Sequence, residues 1–176
     1  MDKIFWGFLL LFFNINLNLG NCTINLLPAW LGYLFLLQGA AQMLPESELF
    51  GKMRPWCTGM VAYTGVLWVM DILHFNFYLE WINVLLMLLS TLAQLYVSYL
   101  FIKAMTDVAQ RRNADLQCAF LNKVWGVAAI ADLASIVLLL IPALALISIL
   151  VGFFAGLCFL VGVHNTRNAY RALCNQ

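Results

Sequence analysis

Residues 79–102 read LEWINVLLMLLSTLAQLYVSYLFI and contain one charged side chain, that of Glu80. A helix needs about 20 mainly apolar residues to cross the roughly 30 Å hydrocarbon layer of a bilayer. This segment is long enough and apolar enough to do so. It predicts a transmembrane helix, and the rest of the chain can be interpreted outward from it.

The composition agrees with a membrane protein. Hydrophobic residues make up 64% of the chain and charged residues 10%, against about half and about a quarter in soluble domains. The formal net charge is +1, which gives no reason to expect a nucleic-acid partner. We therefore expect a single integral membrane domain whose first partner is the lipid bilayer.

Prolines and charged stretches divide the chain into apolar runs. Pro45 and Pro55 bracket PESELFGKMRP, charges fill TDVAQRRNAD (residues 106–115), and Pro142 splits the last long apolar stretch. The sequence predicts an all-α bundle of six transmembrane helices arranged as three consecutive hairpins. The predicted spans are residues 4–19, 26–44, 56–73, 79–102, 121–140 and 143–163.

The positions of the cations predict the orientation, because Lys and Arg in short loops stay on the cytoplasmic side of a membrane. With six spans and both termini inside, every Lys and Arg falls on the inner face. We therefore predict a multi-pass protein of the cell (plasma or inner) membrane with both ends in the cytoplasm. These cations are Lys3, Lys52, Arg54, Lys103, Arg111, Arg112, Lys123, Arg167 and Arg171.

The first predicted outer connector is rich in asparagine. Asn14, Asn16 and Asn18 alternate with aliphatic residues in the period of an extended strand. The connector could be an interfacial loop that caps the bundle or a re-entrant segment that lines an outer vestibule. A third interpretation is a processed signal, because a charged start and a short apolar core precede LGNC, which ends at Cys22; cleavage there would leave five spans.

KIFWGFLLLFFNINL (residues 3–17), followed by INLLPAWLGYLFLL (residues 24–37), resembles the start of a group of small bacterial integral membrane proteins of no assigned activity. That group carries an LPxxxGY-like stretch, which here would run from Leu27 to Tyr33, with Ala29 in place of the expected acid. The resemblance covers residues 3–44. It implies a small prokaryotic membrane protein and carries no mechanism.

Asp132, in VAAIADLASIV, is the most informative polar residue. It lies about 13 Å along the helix from Lys123, close to mid-membrane. Ala128 and Ser135 share its helical face. No cation is expected at that depth, so we expect Asp132 to be neutral or hydrogen-bonded to neighbouring helices.

Other polar residues lie at a comparable depth. Ser90, Gln94 and Ser98 repeat every four residues in the fourth span, as do Gln38 and Gln42 in the second. Such a layer could line a ligand or proton pathway, or it could join helices through hydrogen bonds. The candidate pathway residues are Asp132, Ser135, Gln94, Ser90 and Gln38.

Gly152 and Gly156 form a GxxxG pair in the sixth span. This pattern allows two helix backbones to approach closely. The pair could dock within the bundle or form a contact with a membrane-protein partner or a second copy of the chain.

Signatures of enzymes and metal sites are missing from the sequence. The five cysteines are scattered, and His74 and His164 are expected on opposite sides of the membrane. No phosphate loop, HExxH or GxSxG motif occurs. We therefore predict no catalytic residue, no metal site and no cofactor.

Three functional classes remain open. A non-enzymatic accessory or assembly subunit of a membrane complex is favoured by the small soluble portion and the GxxxG pair. The alternative is a protein that binds or transports a small solute, since the size and layout are similar to those of the membrane substrate-binding subunit of energy-coupling-factor importers. An intramembrane enzyme is the least favoured class.

Overall fold

The computed structural model describes residues 1–12, 16–19, 22–25, 28–73, 80–137 and 142–174. The described residues form six helices and one two-stranded antiparallel hairpin. The helical class is therefore confirmed, with a short hairpin added near the start of the chain. The elements are α1 (Asp2–Phe12), β1 (Asn16–Leu19), β2 (Cys22–Asn25), α2 (Ala29–Gln42), α3 (Leu49–Ile72), α4 (Glu80–Arg111), α5 (Cys118–Val137) and α6 (Pro142–Cys174).

Three of the described helices are long and apolar enough to cross a membrane. Their spanning segments are Val84–Arg111 in α4, Cys118–Ser135 in α5 and Leu150–Cys174 in α6. Helices α1 and α2 have 11 and 14 residues, which at 1.5 Å per residue extend only about 16 and 21 Å. These two helices are too short to cross about 30 Å of hydrocarbon on their own.

The first predicted span differs from the structure in its second half. Helix α1 ends at Phe12, and Asn16–Leu19 forms a strand instead of continuing the helix. The register pairs Asn16 with Asn25 and Asn18 with Thr23. The extended period expected at Asn16 and Asn18 is confirmed, whereas Asn14 lies outside the described residues.

The prediction that Pro55 ends a connector is wrong. Helix α3 begins at Leu49 and continues through Pro55. Proline removes the hydrogen bond to the carbonyl four residues earlier, here that of Gly51. Because Gly51 lies in the first turn of α3, only that turn is disturbed and the helix survives.

Two helices extend past the ends of the predicted spans. Helix α4 continues to Arg111, through half of the expected connector between the spans that end at residue 102 and begin at residue 121. Its added residues include the strong helix formers Met105, Ala109 and Gln110, and Asp107 forms an ion pair of 3.0 Å with Arg111 one turn later. Helix α6 continues beyond Val163 to Cys174.

The chain divides into two compact units, residues 1–93 and 94–176. In the first unit α1 packs on α2, and α2 packs on α3. Ile4 and Phe8 of α1 are buried, as are Tyr33 and Leu36 of α2. A Cβ built on Gly39 would lie 2.9 Å from the backbone nitrogen of Ile4, so only glycine allows α1 to sit this close. Helix α1 is therefore part of the packed core.

In the second unit, α5 packs against α6. The connector between α4 and α5 is joined to α6 by a buried hydrogen bond, in which the Thr166 hydroxyl donates to the Leu116 carbonyl at 2.9 Å. Asn113 and Gln117 adopt positive φ angles of 47° and 56° in this connector. The Gln117 amide donates to the Asp115 side chain, which stabilises the turn.

Candidate functional site

Asp132 lies at the contact between α5 and α6. A Cβ built on Gly152 of α6 would lie 3.0 Å from the Asp132 Oδ1 atom and 3.7 Å from the Cβ of Ala131. Asp132 is half-buried and Ala131 is buried. The carboxyl group therefore occupies space that a larger residue at position 152 would fill. This geometry places an ionisable side chain at a close helix–helix contact.

The serine hydroxyls of the candidate pathway bond within their own helices. Ser135 Oγ donates to the Asp132 carbonyl at 2.7 Å, and Ser90 Oγ donates to the Met87 carbonyl at 2.9 Å. The Gln94 carbonyl accepts a hydrogen bond from Ser98 Oγ at 2.9 Å. A hydroxyl group can donate one hydrogen bond. In Ser90 and Ser135 that bond goes to a carbonyl of the same helix.

Gln38 has a different role from the serines. Its Oε1 atom accepts a hydrogen bond of 2.9 Å from Lys3 Nζ, which joins α2 to α1 in the first unit. Ser90 also belongs to the first unit, whereas Gln94, Asp132 and Ser135 belong to the second. Of the five candidate residues, Asp132 and Ser135 are joined directly by a hydrogen bond.

The two glycines of the GxxxG pair are half-buried in α6. Gly152 faces α5 of the same chain, where it contacts Asp132. Its close packing is therefore used within the second unit. Docking of the whole Gly152–Gly156 pair inside the bundle stays a prediction.

A polar contact between α4 and α5 was missed by the sequence analysis. Trp125 Nε1 of α5 donates to Ser98 Oγ of α4 at 3.0 Å and also lies 3.3 Å from the Leu95 carbonyl. Ser98 is buried. Ser98 was named from the sequence in the four-residue repeat with Ser90 and Gln94, but it was not paired with Trp125. Thr166 offered no comparable signal.

Metal-ligating side chains do not cluster in the described part of the chain. Within residues 1–12, 16–19, 22–25, 28–73, 80–137 and 142–174, no group of three or more His, Cys, Asp or Glu side chains could hold a metal ion. Cys57, Cys118, Cys158 and Cys174 are free thiols. His164 Nε2 lies 3.0 Å from Asn168 Nδ2, one turn along α6.

Comparison with known proteins identified no relative of the chain. No protein-family model matches the chain, and neither a curated protein nor a solved structure matches it.

Proposed function

We propose that the chain is a six-span protein of the cell membrane with both ends in the cytoplasm, in which residues beyond the ends of the short helices α1 and α2 complete the first two crossings. Three helices of spanning length support membrane insertion. Large apolar side chains on these helices are exposed, among them Ile130 at 72% and Phe154 at 62%. Surfaces of this kind need lipid or another membrane helix as a neighbour. Placing all nine cations on one side supports the orientation.

Within the membrane we propose that the protein is a non-enzymatic accessory or assembly subunit. The observation that carries this proposal is the local use of polar groups. Ser90 and Ser135 bond to their own helices, and Ser98 accepts the indole N–H of Trp125 across a helix pair. Because these donors are satisfied within the chain, they are not free to bind a polar ligand, and apolar helix faces remain as the main surface for contact with a partner.

Copurification tests the subunit proposal. The protein, tagged at its natural expression level, is extracted from native membranes in mild detergent, and everything that remains bound is quantified by mass spectrometry. A membrane-protein partner in fixed stoichiometry supports the proposal. Recovery of the protein alone, or only as a homo-oligomer, overturns it.

A second candidate function has one specific observation in its favour. Asp132 brings a carboxyl group into a contact between two predicted spans, and ionisable residues within membranes commonly belong to ion or substrate pathways. Asp132 and Ser135 would then contribute to a small-solute or proton site. A ligand-induced thermal-shift screen of the purified protein tests this function, because a solute that binds the folded state raises the melting temperature.

A further inference from the structure

An apolar groove lies between α3 and the first part of α4, within the first unit. Its volume is about 320 Å³, at the lower end of the range of about 300–1,000 Å³ found for small-ligand sites. Trp56, Gly59 and Tyr63 line it from α3, and Leu89 and Ala93 line it from α4. The chemical character of this lining fits hydrocarbon better than a polar solute.

Gly59 helps to keep the groove open, because it has no side chain that would enter the space between α3 and α4. No atom of another element lies within 4 Å of a Cβ built on Gly59, so a larger residue there would enter open space. The Tyr63 hydroxyl donates to the Leu86 carbonyl of α4 at 2.9 Å. This bond uses the polar group of Tyr63 and holds α3 and α4 together beside the groove.

A cation lies on the same helical face as the groove. Lys52, Trp56, Gly59 and Tyr63 follow one another at spacings of four, three and four residues, which places them along one side of α3. Lys52 and Trp56 are exposed. Arg54 is also exposed, but it lies about 200° around the helix from both Lys52 and Trp56.

We infer that this groove holds one acyl chain of an anionic phospholipid whose phosphate is bound by Lys52. Trp56 would lie at headgroup depth, where tryptophan is enriched in membrane proteins. The acyl chain of the lipid would extend past Gly59 toward Tyr63. Basic pockets between helices on the cytoplasmic side are known to select anionic headgroups. The charge of Lys52 supplies this selectivity, because the apolar lining accepts any acyl chain.

This assignment rests on the proposed orientation, which places the start of α3 at the inner membrane face. Thiol labelling of single-cysteine variants tests that orientation separately. A lost lipid preference in a correctly oriented protein therefore counts against the lipid site alone.

The test is lipid retention by the full chain. The protein is reconstituted in nanodiscs with equal amounts of anionic phosphatidylglycerol and zwitterionic phosphatidylethanolamine, then released into detergent, and retained lipids are counted by native mass spectrometry. We expect one retained lipid per chain, with an anionic preference of about fivefold, as one cation near a headgroup supplies. Lys52→Gln should remove the anionic preference, so that the two lipids are retained in the equal ratio of the nanodisc. Arg54→Gln should keep the anionic preference.

A second pair of variants tests the groove itself. Gly59→Leu fills the groove and should remove most of the retained lipid of both classes. Gly126→Leu, at another helical glycine with nothing within 4 Å of its built Cβ, should leave retention unchanged. The assignment would be overturned if Lys52→Gln and Arg54→Gln lost the anionic preference equally. It would also be overturned if a folded Gly59→Leu protein retained as much lipid as the unmodified protein.

Discussion

Gly7 of α1 and Gly32 of α2 face each other with their backbones in contact. A Cβ built on Gly7 would lie 2.9 Å from the Gly32 carbonyl oxygen, and one built on Gly32 would lie 3.0 Å from the Gly7 carbonyl oxygen. Backbone atoms cannot rotate away from an added methyl group as a side chain can. This reciprocal contact requires α1 to shift if either glycine is replaced.

Gly7→Ala is therefore expected to lower the free energy of unfolding by about 1–3 kcal/mol, as other overpacked sites do. Gly65→Ala is the matched control, because nothing lies within 4 Å of its built Cβ and alanine favours the helix by about 1 kcal/mol. Thermal melting in detergent measures both variants. Equal stability of the two would contradict the close contact.

The packing of α1 also predicts that residues 2–12 remain in the mature protein. Ile4, Phe8 and Leu11 are buried in the first unit, and their loss would expose the apolar surfaces that they cover. Intact mass spectrometry of protein from native membranes should detect a chain that contains α1. A mature chain that begins at Cys22 would show instead that the segment is a processed signal.

The bond between Trp125 and Ser98 can be tested by a double-mutant cycle. We expect Trp125→Phe and Ser98→Ala each to reduce the free energy of unfolding, with about 0.6 kcal/mol attributable to the lost bond. Both changes remove the same bond. The stability loss of the double variant should therefore be about 0.6 kcal/mol smaller than the sum of the two single losses. Strict additivity in chemical or thermal unfolding would show that the bond contributes nothing.

Asp132→Asn distinguishes the second candidate function from a structural role. The amide keeps nearly the same shape beside Gly152, so we expect a stability loss below about 1.5 kcal/mol. If Asp132 belongs to a solute or proton site, the variant should lose the ligand-induced thermal shift while Asp115→Asn, in the connector, keeps it. A large loss of stability with an unchanged ligand response would assign Asp132 to the fold.

The proposed orientation predicts opposite labelling of two cysteines. In a background without other cysteines, a membrane-impermeant maleimide should label Cys22 in intact cells. It should label Cys174, which is exposed in the structure, only after the membrane is opened by detergent. The reverse pattern would place the asparagine-rich connector inside the cell.

The sequence predicted the presence of the helices better than their ends. Apolar runs identify segments that avoid water, but they carry no information on where hydrogen bonding stops. Strong helix formers such as Ala109 and Gln110, with a small contribution from the ion pair of Asp107 with Arg111, continue α4 through a polar stretch. Pro55 is accommodated because it disturbs only the first turn of α3. Both effects depend on local bonding that hydropathy does not report.

Part of the candidate site could also be anticipated. Helical spacing placed Asp132 on a face with small residues, and the structure adds its neighbour across the helix pair, Gly152. The direction of the serine hydroxyls could not be predicted, because a serine in a helix can bond to its own backbone or to another helix. The groove beside Gly59 depends on the distance between α3 and α4, which the sequence does not contain.

Because α6 continues to Cys174, a second protein can be attached rigidly at the end of this helix. A soluble helical protein fused after Cys174 without a linker would extend the same helix and keep a fixed angle to it. For a chain of 19.9 kDa, such a rigid fiducial would supply the mass and asymmetry that particle alignment in electron cryomicroscopy requires.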